Sequence, residues 1–179
     1  STLTIALSVT LPASIDVGSY NLLVDLDSND LIEEFDESNN SGFLADAANF
    51  TLDLLPSALS LQVPQPSYAV GDSITLDYTI RNEGTGDLDK DKNTPFQLKF
   101  LLTPDYDDLS SSTVVELSPS NGDSALALDL DLSAGASYSD TLSFTLPTEV
   151  DAVSYYLVIV LDDTEVLNEV DESNNTLIS

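Results

Sequence analysis

The chain has 179 residues and carries 32 acidic residues against 4 basic ones, a formal net charge of −28. This balance excludes nucleic acid as a natural partner and argues against anionic membrane surfaces, since both recruit lysine and arginine. Cysteine and histidine are absent, so disulfides, thiolate metal sites and the commonest general base are excluded as well. A hydrophobic content of 42% is enough to fill a core.

Apolar and polar residues alternate along several short runs, which predicts half-buried β-strands. These runs cover residues 3–11, 74–80, 96–102, 126–132 and 142–146. Two further stretches, 20–26 and 153–161, are more continuously apolar, as is typical of central strands. The sequence therefore predicts an all-β fold, an immunoglobulin-like β-sandwich of about seven short strands.

Residues 1–44 align without a gap to residues 136–179, and 17 of the 44 positions are identical. The offset of 135 residues is a domain length and predicts a tandem repeat. Residues 1–44 are then the C-terminal third of a preceding repeat, and residues 45–179 are a complete sandwich. A third of a sandwich is too small for a closed core. Either a longer array supplies the remainder, or another chain supplies it by strand exchange.

Short marks along the complete unit resemble the CARDB family, the cell-adhesion-related domain found in bacteria. In chain order they are Val70-Gly71-Asp72, the RNEGTG segment 81–86, the LSAG segment 132–135, and the terminal hairpin 156–176. The resemblance covers nearly all of residues 50–179, and the hairpin marks recur in 18–41. It implies an immunoglobulin-like sandwich in secreted or surface proteins of bacteria and archaea. It does not imply one ligand.

Oxygen-bearing side chains at every second position of one loop predict a calcium site, because calcium prefers carboxylate and carbonyl oxygens. The predicted ligands are Asp87, Asp89, Asp91 and Asn93. The loop lacks the glycine and final glutamate of an EF-hand, and its two lysines would lie close to any cation. The alternative interpretation is a solvated loop between strands.

A second candidate set of ligands lies in the first copy of the repeated hairpin. Its members are Asp25, Asp27, Asn29 and Asp36. The second copy has Val160 and Thr164 in place of Asp25 and Asn29, which weakens a site shared by both copies. The alternative, favoured at the hairpin tip, is turn chemistry in which Asp and Asn side chains bind nearby backbone amides.

The leading functional prediction is a structural or adhesive repeat of a secreted or cell-surface protein, and not an enzyme. It would act as a spacer or assembly unit that contacts neighbouring repeats or identical subunits, with calcium as the predicted cofactor. The acidity is explained by calcium binding, by saline surroundings or by a solvated surface. One alternative is a fibre subunit completed by strand exchange. The other is a carbohydrate- or protein-binding module of a secreted enzyme, which needs an exposed aromatic pair such as Tyr106 with Tyr68.

Overall fold

The computed structural model describes residues 4–12, 15–110, 113–120, 126–151 and 153–179. In this part of the chain the strands are β1 (Gly18–Asp25), β2 (Ser41–Phe50), β3 (Leu54–Leu61), β4 (Ser73–Asn82), β5 (Phe96–Thr103), β6 (Val115–Leu117), β7 (Leu126–Leu128), β8 (Ser137–Thr145), β9 (Tyr156–Leu161) and β10 (Thr176–Ile178). A short 3-10 turn, Glu37–Asn39, lies between β1 and β2. No helix of the described residues is long and apolar enough to cross a bilayer. The predicted all-β class is confirmed.

Two antiparallel sheets pack face to face and enclose one core. One sheet has the order β10-β9-β5-β6, with β7 also paired to β5, and the other has the order β3-β4-β8. Immunoglobulin-like sandwiches divide their strands in the same way, with A, B and E in one sheet and C, F and G in the other. Buried rings join the sheets: Phe100 of β5 lies 5.4 Å from Tyr78 of β4 and 5.0 Å from Phe144 of β8, between ring centroids.

Coverage on both sides explains the different patterns along the strands. In β4, Ile74, Leu76, Tyr78 and Ile80 are buried in the core, and the residues between them are less buried. Strand β9 lies between β5 and β10, and its residues 157–159 are all buried. The alternating and the continuous apolar runs therefore correspond to different positions in the sandwich.

Two expectations for the first part of the chain are wrong. Residues 4–12 form no strand, and Leu3 of the same expected strand lies outside the described residues. Strand β8, with which residues 4–12 align in sequence, pairs with β4, and no described strand takes the place of β4 beside residues 4–12. Likewise, the apolar stretch 20–26 predicts a central strand, but β1 pairs with β2 alone in the described structure. No described strand lies on the other edge of β1, where β5 lies beside β9.

A buried amide shapes the turn that follows β4. The side-chain nitrogen of Asn82 donates to the carbonyl oxygens of Gly86 and Leu132, at 2.9 and 3.0 Å, and its oxygen accepts the Gly84 amide at 3.0 Å. Gly84 also passes close to the start of β3, where an added Cβ would lie 2.2 Å from the carbonyl oxygen of Thr51. The Asn and the first Gly of the RNEGTG segment thus have structural roles.

We expect Asn82→Ala to lower the free energy of unfolding by about 3 kcal/mol, because it leaves buried backbone groups without partners. The matched control is Asn29→Ala at an exposed turn position, which should change it by no more than about 0.5 kcal/mol. Urea unfolding of the unchanged protein and the two variants measures both changes in the free energy of unfolding. Equal effects of the two substitutions would contradict the role given to Asn82.

Candidate functional site

The hairpin formed by β1 and β2 meets one end of the sandwich at a surface here named the junction, made of residues 15–17, 50–51 and 84–92. Phe50 ends β2, and Leu52 already lies in the sandwich core, so a single residue connects the two parts. The carbonyl oxygen of that residue, Thr51, accepts the backbone amides of Thr85 and Gly86, each at 2.9 Å. The connection is therefore tied to the sandwich.

Close backbone approach brings the two sides of the junction together. A Cβ added at Gly86 would lie 3.0 Å from Cγ2 of Val17 and 3.3 Å from Cβ of Phe50. The Asp87 amide donates to the Ile15 carbonyl oxygen at 3.3 Å. Glycine at position 86 therefore leaves room for the segment 15–17 to lie against the sandwich loop.

An ion pair spans the junction. The Lys92 ammonium lies 2.5 Å from a carboxylate oxygen of Asp16 and 3.1 Å from one of Asp89. The hydrogen bond to Asp16, followed by that to Asp89, raises the pKa of Lys92. The pKa of Asp89 is lowered, chiefly by Lys92. By contrast, Lys90 bonds to Asp131 at 2.8 Å and stays within the sandwich.

Side-chain oxygens of the predicted calcium loop bind backbone amides, two of them within the loop and one at Ala134. Asp87 accepts the Ala134 amide at 2.8 Å, Asp89 accepts the Asp91 amide at 2.9 Å, and Asn93 accepts the Asp89 amide at 3.1 Å. Among the described residues, no group of three or more acidic side chains converges to hold a metal ion. The arrangement as it stands does not fit calcium, and binding by Asp87, Asp89, Asp91 and Asn93 stays a prediction.

The second candidate set consists of side chains that bond within their own hairpin. Asp27 accepts two backbone amides of its turn, at 2.7 and 3.0 Å. Asp36 accepts the amide and the hydroxyl of Ser38, and these bonds lower the pKa of Asp36. Asp25 accepts the hydroxyl of its cross-strand neighbour at 2.7 Å, and Asn29 is exposed. These contacts are those of turn chemistry.

The pair of Tyr106 with Tyr68, which would favour a carbohydrate-binding module, does not form. Tyr106 packs edge-on against Tyr156, with ring centroids 5.2 Å apart and planes at 79°. Tyr68 instead donates its hydroxyl to the carbonyl oxygen of Val63 at 3.0 Å.

A half-buried carboxylate that the sequence analysis did not single out ties the two sheets together at the same end of the sandwich. Glu169 accepts the Leu54 amide at 2.5 Å and the Asn175 side chain at 3.0 Å. Next to it, Asn174 donates to Asp53 at 2.7 Å. Burial raises the pKa of Glu169 to about 7, and the bonds from Leu54 and Asn175 oppose that rise.

Both missed carboxylates left a signal in the sequence. In the alignment of residues 1–44 with residues 136–179, Glu34 matches Glu169 and Asp16 matches Asp151. A charged residue that recurs at an equivalent position is a candidate for a fixed contact. What the sequence could not give is the partner, because Asp16 and Lys92 are separated by 76 positions.

The CARDB family matches residues 51–179. The chain belongs to the CARDB family. Its fold is similar to the crystal structure of a CARDB domain from Pyrococcus furiosus in complex with di-metal ions, at 11% identity, a TM-score of 0.46, and coverage of 72% of this chain and 84% of that one.

A second similar structure is the solution NMR structure of a domain from Methanosarcina acetivorans, whose parent is provisionally named a cell surface protein. It is 26% identical, has a TM-score of 0.43, and covers 72% of this chain and 89% of that one. The search of curated proteins found no match. The CARDB assignment of this chain rests on its sequence match.

The RNEGTG segment and the later part of the terminal hairpin lie at the junction end of the domain, whereas Val70-Gly71-Asp72 lies at the opposite end of β4. The RNEGTG segment forms the Asn82 turn and ends at Gly86. The end of the terminal hairpin supplies Glu169 and Asn174, which bind the start of β3. The CARDB domain therefore builds this end from three separate parts of the chain.

The raised pKa of Glu169 predicts a pH-dependent stability. The folded protein binds this proton more tightly than the unfolded chain, whose glutamates titrate near about 4.3. The raised pKa therefore adds its full contribution to the free energy of unfolding below that pH, and this contribution is lost as the pH rises through about 7. We expect Glu169→Gln to gain stability relative to the unchanged protein between pH 5 and pH 8.

Urea unfolding at several pH values measures this difference. Glu149→Gln, at an exposed position, is the matched control and should follow the unchanged protein at every pH. If the curve for Glu169→Gln also ran parallel to that of the unchanged protein, the raised pKa of Glu169 would be wrong.

Proposed function

We propose that this CARDB protein is a structural module of a secreted or cell-surface protein, acting as a spacer or assembly unit that holds neighbouring domains end to end. The observation that carries the proposal is the junction. A hairpin outside the sandwich meets it through a single connecting residue, a backbone hydrogen bond and an ion pair. Flexible linkers between domains have few such contacts.

The charge of the chain supports the same function. All four basic residues form ion pairs: Arg81, Lys90, Lys92 and Lys99. Unbalanced carboxylates then dominate the rest of the surface, which favours solubility and opposes unspecific association between copies. Lys92 forms its ion pair between the hairpin and the sandwich, where the pair helps to fix their relative orientation.

Calcium stiffening of this end remains a separate prediction. It would require Asp89 to exchange Lys92 for the cation, since the two are paired. The proposed spacer function does not depend on it. We propose no enzymatic role.

Lys92→Ala should loosen the hairpin from the sandwich, and Lys90→Ala should not. The two lysines lie in one exposed loop, but only Lys92 bonds to the hairpin side of the junction, through Asp16. Because the chain has no cysteine, spin labels can be placed at Ser28→Cys and Ser73→Cys without background. Electron–electron double resonance then measures the distance distribution between hairpin and sandwich.

We expect a narrow distribution for the unchanged junction and for Lys90→Ala, and a broader one for Lys92→Ala. An exposed ion pair is weak and is screened by salt, so the broadening caused by Lys92→Ala should be partial, and high salt should broaden the distribution of the unchanged protein as well. A broad distribution in all three proteins would contradict the proposed spacer function, since the hairpin and sandwich would then be joined flexibly.

A further inference from the structure

Residues 23–43 form a hairpin with the same register and the same turn contacts as residues 158–178. The β1–β2 register pairs Asp25 with Ser41 and Val24 with Gly42, and the β9–β10 register pairs the equivalent residues 160 with 176 and 159 with 177. The turns agree as well. Asp27 and Asp162 both have a positive φ, 47° and 44°, and each accepts backbone amides four and five residues later.

Burial separates the two hairpins. Five apolar residues of β9 and its turn are almost completely buried: Leu157 at 8% exposure, Val158 at 0%, Ile159 at 0%, Leu161 at 0% and Leu167 at 3%. Their equivalents in the first hairpin are all exposed: Leu22 at 47%, Leu23 at 66%, Val24 at 48%, Leu26 at 65% and Ile32 at 64%. These last five residues are here named the open face. Leu22 and Val24 lie on one face of β1 and Leu23 on the other, so both faces present exposed apolar surface of the kind that marks an interaction site.

The first hairpin also has fewer neighbouring strands than the second in the described structure. Strand β9 pairs with β5 on one edge and β10 on the other, whereas β1 pairs with β2 alone within the described residues. Glu169 and Asn174 bind the start of β3. Their equivalents Glu34 and Asn39 lie beside no such strand in the described structure. The first hairpin therefore presents the whole interface that the second uses.

We infer that the open face binds the strands of a preceding sandwich in the same polypeptide, equivalent to residues 45–135 of this chain. Residues 4–12 support a partner in the same polypeptide. They carry Leu7, Ser8, Thr10, Leu11 and Pro12, identical to the end of β8 and the residues after it, and they lead directly into the hairpin. A second copy is disfavoured, because its own β9 and β10 already cover those strands and its charge of −28 repels this one.

This inference extends the proposed function, because it makes the junction a contact between two complete CARDB sandwiches. In the preceding sandwich, the hairpin would be the last part of the fold. Residues 15–43 would then make two contacts. The open face would pack inside its own domain, and the segment 15–17 would contact the next domain.

The test adds a copy of residues 45–135 in front of residue 1 of the full chain, which continues the repeat in register. Val24→Asp is introduced into this extended chain and into the unextended one. In the unextended chain we expect the melting temperature of the sandwich to change by less than about 2 °C, because Val24 is exposed. In the extended chain we expect the added sandwich to lose at least about 10 °C, since a charge would enter its core.

Two controls keep the outcome interpretable. Glu33→Gln, at an exposed position of the same hairpin, should be silent in both chains. A reference chain, with residues 45–179 placed twice in succession, shows whether two joined sandwiches fold. If the reference folds while the added residues of the extended chain do not, or if Val24→Asp is equally harmless in both chains, the inference is overturned.

Sedimentation of the unextended chain tests the second copy as occupant. We expect a monomer at all concentrations. A dimer that Val24→Asp abolishes would assign the open face to another copy and overturn the inference. The junction residues are the same in the extended and the unextended chain, so failure here leaves the proposed spacer function to its own experiment.

Discussion

Packing of one sheet against the other across a shared layer of rings is the interaction on which the rest of this structure depends. Tyr78, Phe100 and Phe144 come from three strands and two sheets, and they meet at centroid distances of 5.4 and 5.0 Å. Strand β9 is buried because β5 and β10 flank it and β3 lies opposite. A β-hairpin without such cover is marginally stable at best in water.

The two hairpins separate what local sequence determines from what coverage determines. Register, turn geometry and the capping carboxylates agree in both, because each depends on residues close together in the chain. Burial differs completely, because it depends on strands far away in sequence. Residues 4–12 make the same point: their alternation is that of a strand, but a strand needs a neighbour, and none is present beside them among the described residues.

The sequence predicts a strand correctly where its apolar periodicity matches its position in the sandwich, as in β4. It also predicts the CARDB family correctly. It predicted an acidic loop at residues 87–93, but not that the loop's oxygens would bind backbone amides and a lysine. The pairing of Asp16 with Lys92, and of Glu169 with the start of β3, follows from topology that no local pattern encodes. Tyr106 likewise packs against Tyr156, which is distant in sequence, and not against Tyr68.

Carboxylates in this acidic protein have two distinct structural uses besides solubility. Some cap turns: Asp36 and Asp171 each accept an amide and a hydroxyl from the serine two residues later. Others join distant parts of the chain, as Glu169 joins the sheets and Asp16 joins hairpin and sandwich. The acid content thus accounts for part of the architecture as well as for the net charge.

Native-state amide hydrogen exchange of the unmodified chain tests the central claim most directly, namely that coverage by other strands distinguishes two hairpins of equal local structure. Peptides 22–26 and 157–161 are compared in one experiment by mass spectrometry. We predict that 157–161 exchanges only through global unfolding, and that 22–26 exchanges at least about a hundredfold faster. Equal and slow exchange in both peptides would contradict the account, because the first hairpin would then already be covered.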